Sequence, residues 1–202
     1  MIDFKNDLEK YYELEIETIK KLDKDEMNKA MNALVKHYDD QSTVYVFGNG
    51  GSAATASHMV CDFNKGICSK LEKRFKFVCL NDNVPIMTAI ANDTTFDDVF
   101  YYQLENRLKK EDLVLAISGS GNSKNIMKAA EYTKKVGAEL MSITGYDGGK
   151  LAKIADYRLH APVDDIQIAE DLHMTFDHVI MQVLWRYLSK REGIEATYTP
   201  NK

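Results

Sequence analysis

The chain has 202 residues, 45% of them hydrophobic and 28% charged, with a formal net charge of −5. These values fit one globular domain with a substantial core, and exclude a disordered or membrane-embedded chain. The acidic balance argues against nucleic acid as a direct partner, no apolar run approaches the ~20 residues of a membrane span, and the mixed, polar start Met1-Ile2-Asp3-Phe4-Lys5-Asn6-Asp7 is not leader-like.

From about Asp3 to Lys21 the apolar residues Leu8, Tyr11, Tyr12, Leu14, Ile16 and Ile19, with Leu22 just beyond, recur at spacings near three and four, which predicts an amphipathic helix. A second helix is predicted over Glu26–Tyr38. Both precede the first strand, so they either cover this chain's own sheet or pack on other subunits. Thr43–Phe47 then reads as a strand, followed by the loop Gly48-Asn49-Gly50-Gly51-Ser52 and a helix of small residues, Ala53 to Val60. Three glycines in four positions mark a tight turn or a place where a ligand meets the backbone. Three cysteines, Cys61, Cys68 and Cys79, cannot all pair and lack zinc-finger spacing, which predicts reduced thiols and a cytoplasmic protein.

Further strands are predicted at Phe75–Leu80, Leu113–Ile117, Glu139–Thr144 and Tyr157–His160, with helical segments between them and a long last helix from about Ile168 to Leu188. Strand–helix alternation implies an α/β fold, a parallel sheet with helices on both faces. Only three prolines occur, and no Ser/Gly linker, internal repeat or low-complexity tract divides the chain.

The most telling stretch is Ser118-Gly119-Ser120-Gly121-Asn122-Ser123, between the strand ending at Ile117 and a helix opening at Lys124. Glycines let the backbone approach an anion, hydroxyls donate to it, and the helix N-terminus adds free N–H groups and a positive dipole end. No Walker lysine and no G-x-G-x-x-G are present, so three hydroxyls around one phosphate monoester point to a sugar phosphate. The plain alternative is an N-capped turn with no ligand, for which one serine suffices. Two such loops, each after a strand, place a ligand at the carboxyl ends of parallel strands.

Two sets of side chains offer chemistry. His58 and Asp62, four apart, share a helical face and suit a shared metal or a base with its orienter, the alternative being a surface pair. Glu170, His173 and His178 lie on the last helix. Eight residues rise about 12 Å, so Glu170 and His178 cannot both hold one ion from a regular helix. A frayed first turn or two different subunits would resolve this, and His178 facing the core is the plain alternative.

The ordered set of motifs resembles the sugar isomerase (SIS) superfamily, in its phosphoheptose isomerase branch. It comprises Gly48 to Ser52, Ala91-Asn92-Asp93-Thr94-Thr95-Phe96, Ser118 to Ser123, Thr144-Gly145-Tyr146-Asp147-Gly148-Gly149-Lys150 and Glu170 to His178. The resemblance runs over nearly the whole chain. It implies one SIS domain, a three-layer sandwich around a five-stranded parallel sheet, with 1–40 as a helical oligomerisation segment and 41–202 as the phosphosugar-binding core. It also implies a homotetramer.

The implied reaction interconverts sedoheptulose 7-phosphate and D-glycero-D-manno-heptose 7-phosphate through an enediol. Ser118, Gly119, Ser120 and Ser123 would anchor the phosphate, and Asn49, Gly50, Gly51 and Ser52 would hold the sugar. Asn92 and Asp93, at the start of a helical segment, would bind hydroxyls, or else cap that helix. Zinc would sit on His58, Asp62, Glu170 and His178, with Asp62, Glu170 and His178 catalytic. Two positions depart from the pattern: Asp62 stands where the family has Glu, and Glu170 where it has Gln. The metal site is thus one unit more negative and its base one methylene shorter, which suits Glu170 taking over part of the proton transfer. Other readings are an isomerase of another sugar phosphate, a tetrameric adaptor of the type that binds a replication initiator, or a regulatory phosphosugar sensor.

Overall fold

The computed structural model describes residues 1–194, so the last eight residues of the predicted 41–202 segment lie outside the described residues. Helix α1 spans Lys5–Lys20 and α2 Lys24–Asp40, where the Asp23 carboxylate accepts from the N–H groups of Asp25 and Glu26 as an N-cap. Strand β1 (Val44–Gly48) leads into α3 (Gly51–Cys61), which continues as a π-helical turn over Asp62–Ile67. Strand β2 (Phe77–Cys79), α4 (Val84–Asp93), a short 3-10 turn (Phe96–Asp98) and α5 (Tyr101–Leu104) follow. The rest alternates strictly: β3 (Leu113–Ser118), α6 (Lys124–Val136), β4 (Glu139–Thr144), α7 (Gly149–Ile154), β5 (Tyr157–His160) and α8 (Ile166–Arg191).

The five strands form one parallel sheet in the order β2-β1-β3-β4-β5. The central strands are buried on both faces, which explains why β1 and β3 read as continuous apolar runs rather than alternating ones. One core layer joins α2, α3 and α8 to the sheet through residues such as Leu34, Met59, Leu172 and Phe176. The other joins α4 to α7 through Phe47, Phe100, Ile126 and Leu151. The predicted three-layer sandwich is therefore observed. Strand β2 is shorter than the predicted Phe75–Leu80.

The two N-terminal helices differ in what they bury. Helix α2 buries Ala30, Ala33, Leu34, His37 and Tyr38 in this chain's own core. Helix α1 buries only Thr18, is tied to α8 by a hydrogen bond from the Tyr11 hydroxyl to Asp171, and leaves Leu8, Tyr12, Ile16 and Ile19 exposed.

The chain leaves β1 toward β2 on one side and returns to β3 on the other. The crevice at the carboxyl ends of β1 and β3 is thus the topological switch point, where open α/β sheets bind ligands. Both Gly/Ser loops emerge there.

Candidate active site and metal centre

A cleft of about 450 Å³ opens at this switch point, and Asn49, Ser52, Ser118, Gly119, Ser120, Asn122, Ser123, Tyr146, Asp147 and Glu170 are among the residues lining it. Among the described residues no lysine or arginine lines it, so an anion here would be held by hydroxyls and backbone N–H groups. Ser123 occupies the N-cap position of α6, and its hydroxyl makes no cap hydrogen bond. The Ser118 and Ser120 hydroxyls accept from the N–H groups of Gly121 and Asn122, which curls the loop around the cleft.

Neighbouring segments hold this loop in shape. Asn49 and Asn125 exchange side-chain amide hydrogen bonds, both at 2.9 Å, which ties the β1 loop to the start of α6. The loop after β4 lies against the serine loop, with Gly145 N–H donating to Gly119 O at 2.8 Å and Leu151 N–H to Gly121 O at 3.0 Å. Gly121 has φ +61°, and a Cβ there would lie 2.1 Å from the Gly148 carbonyl oxygen, so only glycine permits this approach. The Thr144–Lys150 motif thus buttresses the serine loop.

A second centre forms where α3 and α8 run side by side. His58 Nε2 lies 3.1 Å from His178 Nε2, 3.5 Å from Asp62 Oδ2 and 3.8 Å from Asp177 Oδ2. One donor atom from each of the four residues lies within 4.8 Å of the others, a spacing that suits a divalent cation. Asp177 is fully buried and neither of its carboxylate oxygens has a hydrogen-bond partner. Burial pushes its carboxyl up to about 7, and the neighbouring Asp62 charge adds to the rise. An orphaned buried carboxylate beside two imidazoles fits a metal ion better than a metal-free core, because the ion would satisfy both oxygens.

The predicted pairing of His58 with Asp62 holds, although Asp62 opens the π-helical turn rather than continuing α3. His178 is exposed and faces His58. The core histidine is instead His173, fully buried, whose imidazole burial pushes down to about 4.

One expectation narrows and one needs correction. No frayed first turn brings Glu170 to His58, Asp62 and His178, which leaves the route through different subunits. Helix α8 starts at Ile166 and is regular at Glu170, which leaves this residue about 10 Å along the axis from Asp177. Its carboxylate lies instead over Gly51 in the serine cleft, where a Cβ on Gly51 would be 2.5 Å from both oxygens. Asn92 and Asp93 end α4 rather than starting a helix. They lie outside the serine cleft, with Asn92 donating to Asp93 at 2.9 Å and Asp93 bordering a separate cavity with Ile86, Tyr102 and Arg107. Motif reading missed Asp177 and Asn125. Asp177 had a signal, since it is an acidic residue within the apolar stripe Leu172, Phe176, Ile180 and Leu184 of α8.

All three cysteines are free thiols, with Cys61 exposed and Cys68 and Cys79 buried. Among the described residues no helix is long and apolar enough to cross a membrane.

The sequence pattern of the SIS domain matches residues 9–145. The chain is 32% identical over 166 residues to a phosphoheptose isomerase of Helicobacter pylori strain P12, covering 82% of this chain and 85% of that one. It is 35% identical over 181 residues to a probable phosphoheptose isomerase of Thermoplasma volcanium, covering 90% and 92%. A solved phosphoheptose isomerase from Francisella tularensis superposes with a TM-score of 0.83 at 24% identity, covering 92% of this chain and 100% of that chain, and so shares the fold. With the five-stranded sheet, the serine loop and these relatives in agreement, the chain belongs to the SIS domain family, in its phosphoheptose isomerase branch.

Proposed function

We propose that the protein interconverts sedoheptulose 7-phosphate and D-glycero-D-manno-heptose 7-phosphate in the cytoplasm. The observation that carries this reading is the serine cleft at the β1/β3 switch point, with an uncommitted Ser123 hydroxyl at one end and the Glu170 carboxylate in its wall. The named relatives are phosphoheptose isomerases and probable ones at matching length.

In this reading Ser118, Ser120 and Ser123 hold the phosphate, while Asn49, Ser52 and the Gly50–Gly51 backbone orient the sugar. Glu170 takes the proton from C1 of the ketose and returns it to C2 of the aldose. The C2 oxygen gains a proton and the C1 hydroxyl loses one, with His178 moving protons on these oxygens. His58, Asp62 and His178 belong to the centre that would hold zinc. A zinc ion held there would act as a Lewis acid that polarises the substrate carbonyl.

Glu170 and the histidine centre are two helical turns apart in one chain, so the halves meet across subunits of a homotetramer. The exposed stripes Leu8, Tyr12, Ile16 and Ile19 on α1, and Val179, Val183 and Tyr187 beside His178 on α8, support such contacts. Asn92 and Asp93 then reach the sugar from a neighbouring subunit.

The test is incubation of zinc-loaded protein with sedoheptulose 7-phosphate in deuterated water, followed by NMR. Solvent deuterium at C2 of the aldose is expected; no exchange with any ketose phosphate would reject the reading. For the shared site, mixing Ser120→Ala/Ser123→Ala protein with His178→Ala protein should restore activity that neither has alone.

A further inference from the structure

We propose that Asp177, rather than Glu170, is the second carboxylate of the metal centre, completing a set with His58, Asp62 and His178. The proposal rests on the zinc assignment above and deepens it, because the motif pattern puts the fourth ligand at position 170.

Four observations carry the assignment. The first is the orphaned carboxylate: Asp177 is fully buried, and both oxygens lack a partner. A buried carboxylate without a hydrogen bond or counter-charge is among the costliest arrangements in a core. The negative charge of Asp62 repels it.

The second is spacing. Ligand bonds of about 2.0–2.2 Å put the corners of a tetrahedron roughly 3.3–3.6 Å apart. The separations from His58 Nε2 are 3.1, 3.5 and 3.8 Å, which bracket that edge length. At 3.8 Å the Asp177 oxygen is too far from the imidazole for a direct hydrogen bond and well placed to share an ion with it.

The third is ligand chemistry. Two imidazole nitrogens and two carboxylate oxygens form a mixed N/O set of the kind zinc accepts, and two carboxylates neutralise its divalent charge. The fourth is the place of Glu170 within its own chain. It sits about 10 Å along a regular helix from Asp177, with its carboxylate against Gly51 in the serine cleft. Asp177 is on the same turn as His178, on the side that faces α3.

Function follows from this division. With the metal charge balanced by Asp62 and Asp177, Glu170 has no ligand duty and its carboxylate stays with the substrate. The departure at position 170 then has a reason, as its carboxylate is a substrate-facing group and the ligand role has moved to position 177.

The experiment titrates zinc alone into metal-stripped full-length protein against a chromogenic chelator, with elemental analysis for stoichiometry. Wild type should hold one zinc per chain. Asp177→Asn, nearly isosteric, should lose affinity by at least ~10²-fold, more than is typical of an outer-shell loss. It should also lose the zinc-dependent rise in Tm that wild type shows. Glu170→Ala should keep wild-type zinc affinity. Zinc retained in Asp177→Asn, or lost in Glu170→Ala, overturns the assignment. Should Asp177→Asn not fold, Asp177→Leu, which replaces the unpaired buried carboxylate by an apolar group, and the Glu170→Ala arm decide on the same readings. A wild type that isomerises the sugar phosphate without binding zinc would overturn the metal assignment and leave the proposed reaction standing. A wild type that does neither would remove both.

Discussion

Replacing Gly51 by alanine should separate stability from activity. Gly51 opens α3 in helical backbone, and an added methyl group would lie 2.5 Å from each carboxylate oxygen of Glu170. Ordinary contact begins near 3.4 Å, so the carboxylate must retreat by about 1 Å. The colliding atoms are the free end of a flexible side chain, and moving Glu170 off its rotamer costs about 0.5–1.5 kcal/mol. Alanine in place of glycine in a helix returns about 0.5–1 kcal/mol. The two terms nearly cancel, so urea unfolding should show a change within about 1 kcal/mol. A catalytic group misplaced by an ångström costs about 10²-fold, so kcat/KM for the sugar phosphate should fall by that factor. Gly48→Ala is the control. Its methyl group would lie 2.7 Å from the Ser52 backbone carbonyl, which cannot turn away, so it should lose about 1–3 kcal/mol of stability. If Gly51 acts through Glu170, adding Gly51→Ala to Glu170→Gln should cost little further activity. Gly51→Ala with wild-type kcat/KM, or as unstable as Gly48→Ala, would refute the reasoning.

Ser120→Ala/Ser123→Ala should raise KM for the sugar phosphate and weaken inorganic phosphate binding without unfolding the protein; unchanged phosphate affinity by calorimetry would remove the cradle. Glu170→Gln should lose deuterium exchange at C2 by at least ~10²-fold; survival of exchange there and its loss in Asp62→Asn would make Asp62 the base. Burial holds the His173 imidazole at about 4 against an ordinary 6.5, so the unfolded chain binds its proton first as pH falls. Its share of stability is therefore whole above pH 6.5 and lost toward pH 4, by about 3 kcal/mol. His173→Leu should shrink the stability drop between pH 7 and pH 4 by that amount in urea titrations, and an equal drop in both proteins would contradict the sign. Asn125→Ala breaks the amide pair with Asn49 and should cost about 1–3 kcal/mol of stability, read from the same titrations.

Much of the architecture was written locally. Apolar runs such as Leu113–Ile117, bounded by glycine-rich turns, have no stable alternative to buried parallel strands, because both their faces demand cover. The Gly/Ser loops were legible for a similar reason: glycine density and repeated serines have few uses other than close approach to a ligand. The His58–Asp62 pair was legible because four residues of helix fix two side chains on one face, whatever the rest of the chain does.

What the chain could not reveal residue by residue was how α3 and α8 align. Their parallel packing sets Gly51 against Glu170 and His58 against Asp177 and His178, a pairing across some 120 residues that no local spacing encodes. That alignment moves Glu170 into the serine cleft and brings Asp177 to the histidines. The sequence alone determined the fold class, the Gly/Ser loops and the His58–Asp62 pair, because each depends on neighbours within a turn or a strand. Tertiary structure decided which carboxylate meets which imidazole, because that depends on the register of two helices packed on one sheet.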